Sequence, residues 1–211
     1  MLLNHYKTIR SLTQTELEVS KSRFITYIDQ VKSETQALEF IHTIKKQHPA
    51  AAHHCSAYLI GDNDQIQRAD DDGEPTGTAG KPILEVIKKN MLKDTVIVVT
   101  RYFGGIKLGA GGLIRAYGKA ASTSIEAADV IEKRLHYRVA IDMDYSILGP
   151  IENFLHSYHL RIESKEFTDR VHIIAFIPKD YHLKFIADLT ELTAAQAKTT
   201  LLDELYLDFS L

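Results

Sequence analysis

Apolar residues recur at helical spacing at Ala37, Ile41 and Ile44, behind a Ser33 that has Gln36 three positions on. The pattern predicts an amphipathic helix that opens in a capping box and stops at His48-Pro49. Residues 54–60 read as a strand. The turn signal Gly61-Asp62-Asn63-Asp64 then leads to a partner strand at 65–69, which together predict a hairpin. Residues 69–82 contain three glycines, two prolines and four acids without apolar periodicity, and so read as a loop. Pro82 suits the first turn of a helix whose buried side is Ile83, Val86 and Ile87, up to about Asn90. The unbroken β-branched run at 95–100, TVIVVT, predicts a core strand covered on both faces. Leu113, Ala116, Tyr117, Ala120 and Ala127 then fall at helical intervals, giving a helix over 112–128. Gly118 lies inside it at a cost of ~1 kcal/mol relative to alanine, which points to close packing or to a required backbone approach.

The pattern changes at Glu132-Lys133-Arg134, which divides the chain into domains at 1–134 and 135–211. Residues 137–145 alternate as a strand, and Pro150 opens a helix with Ile151, Phe154, Leu155 and Tyr158 on one face. Strands at 160–167 and 171–177 flank a turn at 168–170. Asp180 is expected to cap a helix with the stripe Tyr181, Phe185, Leu189 and Leu192, and a last strand covers 200–207. This β-α-β-β-α-β order is the ferredoxin-like arrangement, and the whole chain reads as α+β.

The longest apolar runs are far shorter than the ~20 residues of a membrane-spanning helix, and Asn4, His5 and Lys7 interrupt any signal-peptide core. Cys55 is the single cysteine, so an intrachain disulfide and a multi-cysteine zinc site are excluded. These features point to a cytoplasmic protein. Its net charge is −3, but residues 1–134 carry 18 Lys or Arg against 16 Asp or Glu, and residues 135–211 carry 7 against 12. A polyanion would therefore be met by a local patch on the first part, not by the field of the whole molecule.

That patch is expected in residues 101–119, RYFGGIKLGAGGLIRAYGK. Gly104, Gly105, Gly109, Gly111, Gly112 and Gly118 are six of the chain's eleven glycines, placed between a buried strand and a helix, with Arg101, Lys107, Arg115 and Lys119 and no acid. Glycine lets a ligand approach backbone amides and a helix N-terminus adds partial positive charge, so the segment suits a phosphate or carboxylate. The plainer alternative is that the glycines serve tight strand-to-helix packing. Nucleotide fingerprints fail on spacing. Ile114 stands where a dinucleotide motif needs its third glycine, and Gly80-Lys81 and Gly118-Lys119 lack the remainder of a Walker loop. Asp70, Asp71, Asp72 and Glu74 carry two readings, a turn whose acids face water and a site for Mg²⁺ beside a phosphate; if the turn lies beside the basic segment, the acids could instead orient Arg101 or Arg115, or discourage non-specific phosphate binding. In His53-His54-Cys55, His53 and Cys55 share one strand face and His54 the other, which suits hydrogen-bonded structural roles better than a metal site. No HExxH or GxSxG occurs.

Two blocks, DDGEPTGTAGKP at 71–82 and VVTRYFGGIKLGAGGLIRAYGKA at 98–120, resemble the signatures of the IMPACT family in its bacterial YigZ-type form, and the likeness runs on to KSRF at 21–24. The resemblance implies an N-terminal domain like the second domain of a small-subunit ribosomal protein and like domain IV of elongation factor G. It implies a C-terminal domain like that factor's ferredoxin-like domain V. It marks Asp71, Asp72, Gly73, Glu74, Pro75, Gly77, Thr78 and Gly80 as a second signature loop. Eukaryotic relatives act in translational control, partly through an extra N-terminal domain for which these 211 residues are expected to have no room. The expected function is non-catalytic binding of RNA or the translation machinery. Arg101, Lys107, Arg115 and Lys119 would neutralise phosphates, and Tyr102, Phe103 and Tyr117 would stack on bases. The alternatives are a Mg²⁺-dependent enzyme acting on a phosphorylated small molecule and a module that binds only a protein partner.

Overall fold

In the computed structural model, residues 3–211 are described, and they divide into two compact units. The first comprises Tyr6–Glu132 with Phe209–Leu211, and the second Lys133–Asp208 with Leu3–His5. Both are mixed α/β structures.

The first unit is built on an antiparallel sheet of strands β2 (Thr13–Val19), β3 (Ser22–Gln30), β4 (His53–Ile60), β5 (Ile66–Asp70) and β6 (Thr95–Tyr102), after a short β1 (His5–Ile9). Their spatial order is β2-β3-β6-β4-β5, so the β-branched run takes the central place. Helices α2 (Gly80–Lys89) and α3 (Gly109–Ala127) pack on one face, where Ile97 and Val99 meet Ile83, Ile87, Leu113 and Tyr117. Helix α1 (Glu34–Gln47) covers the other, where Val96 and Val98 meet Ala37, Ile41 and Ile44. Every residue from Thr95 to Arg101 is buried, which is why the strand shows no polar alternation.

Helix α1 begins and ends where its pattern predicts. The Ser33 side chain accepts from the Gln36 amide at 3.2 Å, and Gln36 reaches back to the Lys32 amide, one residue before the usual partner of a capping box. The β2–β3 hairpin has no counterpart in the sequence reading. Val19 pairs with Ser22 across a two-residue turn, and Ser20 and Lys21 both hold positive φ, at 49° and 63°. Such turns are normally marked by Asn-Gly or Asp-Gly, and Ser-Lys gives no such mark.

The second unit follows the order β7 (Val130–Met143), α4 (Leu148–Ser157), β8 (Arg161–Phe167), β9 (Val171–Pro178), α5 (His182–Leu192), β10 (Lys198–Ser210), the β-α-β-β-α-β sequence read from the pattern. Strand β9 pairs antiparallel with both β7 and β8, and β10 pairs with β7. Val139, Ile141, Ile173 and Ile177 of the sheet close on Ile151 and Leu155 of α4 and on Phe185 and Leu189 of α5. Two expectations are corrected. Asp180 does not cap α5, whose N-cap position is Tyr181 without a side-chain bond; and Leu192 lies 45% exposed at the helix end. Among the described residues no helix is long and apolar enough to cross a membrane.

Candidate functional site

The acidic loop between β5 and α2 is held from within. The Asp71 carboxylate accepts from the amides of Gly77, Ala79 and Gly80 at 2.7, 2.9 and 2.9 Å, and so closes the loop onto the first turn of α2, where Ala79 has no capping side chain. Burial pushes the Asp71 carboxyl up, but the amides of Gly77, Gly80 and Ala79 outweigh it and hold the group below the ordinary carboxylate range. Asp72 accepts from Lys45 Nζ at 2.7 Å and from the His54 amide at 2.6 Å; against burial, those bonds hold its carboxyl below the ordinary range as well. Thr78 Oγ1 donates to the Pro75 carbonyl at 2.6 Å, and Gly73 lies against the His53 ring, whose Nδ1 bonds the Asp72 carbonyl.

Glu74 turns inward to a buried polar network. Its Oε1 accepts from Arg101 at 2.6 Å and from the Tyr117 hydroxyl at 2.8 Å. Cys55 Sγ lies 3.0 Å from the Asp71 carbonyl and 3.3 Å from the Tyr117 hydroxyl. Burial pushes the Cys55 thiol up to about 12 and raises the Tyr117 phenol too, so both stay protonated at neutral pH. The Arg101 guanidinium lies within cation-π range of Phe24 and Phe103, at 5.5 and 5.6 Å from the ring centroids. One arm approaches Ser22 Oγ at 3.4 Å, and Nε has no partner. The network joins the two signature blocks through their side chains: Glu74 alone takes the role of orienting Arg101, and the expectation of a turn whose acids face water is corrected for Asp71, Asp72 and Glu74, which are held by protein donors.

Three of the expected ligand contacts are thereby corrected. Arg101 is only 5% exposed and ion-paired, so it does not face a ligand on the surface. Tyr117 is fully buried and cannot stack on a base. Tyr102 lies on the opposite face of the sheet from α3, bonded through its hydroxyl to His48 Nδ1 at 2.9 Å. Nor do the acids of residues 70–74 fit a divalent cation: Asp71, Asp72 and Glu74 are taken up by protein donors, and Asp70 accepts the Asp72 amide. Among the described residues no group of three or more His, Cys, Asp or Glu is placed to hold a metal.

The other cations of the glycine segment converge. Helix α3 begins at Gly109, three residues earlier than its apolar pattern suggests, so Gly109, Gly111 and Gly112 form its first turn, behind a Leu108 that offers no capping bond. Lys107, Leu108, Gly112, Arg115 and Lys119 line one side of an open cleft of about 460 Å³, and Val19 and Ser20 of the β2–β3 turn line the other. Lys119 has only a loose, exposed contact with Glu126 at 4.0 Å. The loop that leads into the cleft is fixed at Gly104, where a Cβ would lie 2.0 Å from the Lys21 carbonyl, while the Gly104 amide donates to Ser22 Oγ at 3.2 Å. Gly105 follows at φ 86°, and Phe103 stands 52% exposed. At Gly118 a Cβ would meet nothing within 4 Å, so close packing is not the reason for that glycine. Ser20 was missed by sequence reasoning, and Ser22 entered it only as part of the KSRF segment; the one signal for Ser20 is its place beside that segment.

Comparison with known proteins agrees with the two-unit division. Residues 20–125 match the Impact N-terminal domain, and residues 141–196 match a domain of unknown function, DUF1949. The chain is 48% identical over 192 residues to the IMPACT family member YvyE of Bacillus subtilis, covering 91% of this chain and 88% of that protein. It is 31% identical over 189 residues to YigZ of Escherichia coli, covering 89% and 93%. A crystal structure described as that of a hypothetical protein superposes with a TM-score of 0.62 at 29% identity, over 96% of this chain and 99% of that one. By both its domains and its near full-length relatives, the chain belongs to the IMPACT family.

Proposed function

We propose that the chain is a non-catalytic binding protein for nucleic acid, acting at ribosomes or elsewhere in translation, with the α3 cleft as its contact surface. The observation that carries the reading is the convergence of Lys107, Arg115 and Lys119 on one cleft whose lining contains no acid. Phosphate contacts supply most of the sequence-independent affinity for nucleic acid, and three surface cations beside uncapped helix amides suit that task. The inward commitment of Asp71, Asp72 and Glu74 favours this reading over metal-assisted catalysis, because no carboxylate of the signature loop is directed into the cleft. Cosedimentation of the chain with ribosomes and total cellular RNA tests the reading. The wild-type chain is expected to bind, and a Lys107→Gln, Arg115→Gln, Lys119→Gln variant to bind at least tenfold more weakly with an unchanged circular dichroism spectrum. Equal binding by that variant would refute the assignment, and capture that survives nuclease treatment would point to a protein partner instead.

A further inference from the structure

The lining of the cleft limits which polyanion it suits. No aromatic residue, Asn, Gln, Asp or Glu is among its walls. Proteins that hold single strands combine cations with aromatic rings on which successive bases stack. Here Tyr117 is buried, Tyr102 faces away from α3, and the exposed ring of Phe103 is not part of the cleft. What the cleft presents is charge, without a platform for bases.

The surface of α3 next to the cleft is basic and carries two glycines. Gly111, Ile114, Arg115 and Lys119 are exposed on it, with Gly118 half-buried among them. A glycine at Gly118 costs about 1 kcal/mol of helix stability relative to alanine, and no neighbour accounts for it, since its Cβ would enter open space. The missing side chain leaves the helix backbone open to approach beside Arg115 and Lys119. The deep, narrow major groove of A-form RNA excludes side chains, whereas its minor groove is wide and shallow and displays 2′-hydroxyls between phosphates. A B-DNA major groove suits a helix that reads base edges with amide or carboxylate side chains beside its cations, and the cleft lining carries no Asn, Gln, Asp or Glu.

Building on the nucleic-acid reading above, we infer that the cleft and the exposed side of α3 hold the sugar-phosphate backbone of double-stranded RNA across its minor groove, without reading sequence. The test is fluorescence anisotropy of the full chain at 0.15 M salt with a labelled 20-base-pair RNA duplex, its separated strands, and a DNA duplex of the same sequence. The RNA duplex is expected to bind at least tenfold more tightly than either competitor, and a second RNA duplex of unrelated sequence to bind equally. Gly118→Leu, with a good helix former in open space, is expected to unfold no lower than wild type and to bind the RNA duplex at least tenfold more weakly. Arg115→Gln, an exposed change, is expected to weaken it likewise. Unchanged binding by Gly118→Leu would overturn docking on α3. Single strands that bind as tightly as the duplex, with loss on Phe103→Ala, would overturn the duplex while leaving the nucleic-acid reading in place. Equal binding of the DNA duplex would overturn the choice of RNA, and no binding to any of the three would remove both readings.

Discussion

At the scale of residues, Glu74 and Arg101 carry the structural logic that joins the signature blocks. Both side chains are almost wholly buried and 2.6 Å apart, so each neutralises a charge that the surroundings could not otherwise hold. Arg101→Met should leave the Glu74 carboxylate uncompensated and lower the unfolding free energy in urea by about 3 to 5 kcal/mol, while Arg101→Met combined with Glu74→Leu should recover a large part of it. A loss below 1 kcal/mol in the single variant would show the pair to be dispensable. Acid sensitivity follows from three other groups. His48 sits between the Tyr27 and Tyr102 hydroxyls, and burial, with His54 and Arg23 nearby, lowers it from its ordinary 6.5. Its unfolded form therefore takes a proton first, and stability falls as the pH drops below 6.5 towards the folded value. Asp71 and Asp72 lie below their ordinary 3.8, so their contribution is complete above that pH and is lost as the pH falls through the folded values. Urea denaturation across pH 7 to 3 should show stability declining in both windows, and Asp71→Asn should flatten the lower one.

At the scale of elements, legibility depended on whether a segment's side chains or its backbone decides its form. Helix α1 and strand β6 are written in side chains, in a Ser33 cap and in a run of residues buried on both faces, and the sequence displays both. The inward turn of Arg101 is also legible in retrospect: it continues the alternate positions of Ile97 and Val99, just as the helical spacing that groups Tyr117 with Leu113 and Ala116 turns it inward. The β2–β3 turn and the first turn of α3 are decided by backbone instead, by positive φ at Ser20 and Lys21 and by glycines without apolar periodicity, so neither could be read. The glycines themselves separate into two kinds. Gly104→Ala would force a Cβ to within 2.0 Å of the Lys21 carbonyl carbon and should destabilise the protein severely. Gly118→Ala meets no neighbour and should stabilise α3 by about 1 kcal/mol. Thermal unfolding of the pair should move in opposite directions; a loss at Gly118 would mean that its backbone conformation, not ligand access, selects glycine.

At the scale of the whole molecule, the cleft was hidden from sequence because its walls are distant in the chain: Val19 and Ser20 face residues 107–119 only through the β2–β3–β6 pairing and the packing of α3 on it. The sequence supplied the cations and the fold selected three of the four. That selection has a measurable consequence. The chain as a whole carries −3, so its overall field does not draw in a polyanion, and at 0.15 M salt charges more than about 8 Å from the contact are largely screened. Binding should then register only the cations at the cleft. With Lys107, Arg115 and Lys119 each neutralising one phosphate, the slope of log affinity against log salt concentration should be about −3 for a duplex, set by about 0.9 per contact. Lys119→Gln should reduce its magnitude by about one, and Arg101→Lys should leave it unchanged because Arg101 is spent on Glu74. A slope near zero would remove phosphate contact altogether, and one much steeper than −3 would mean that nucleic acid meets the protein over a wider surface than this cleft.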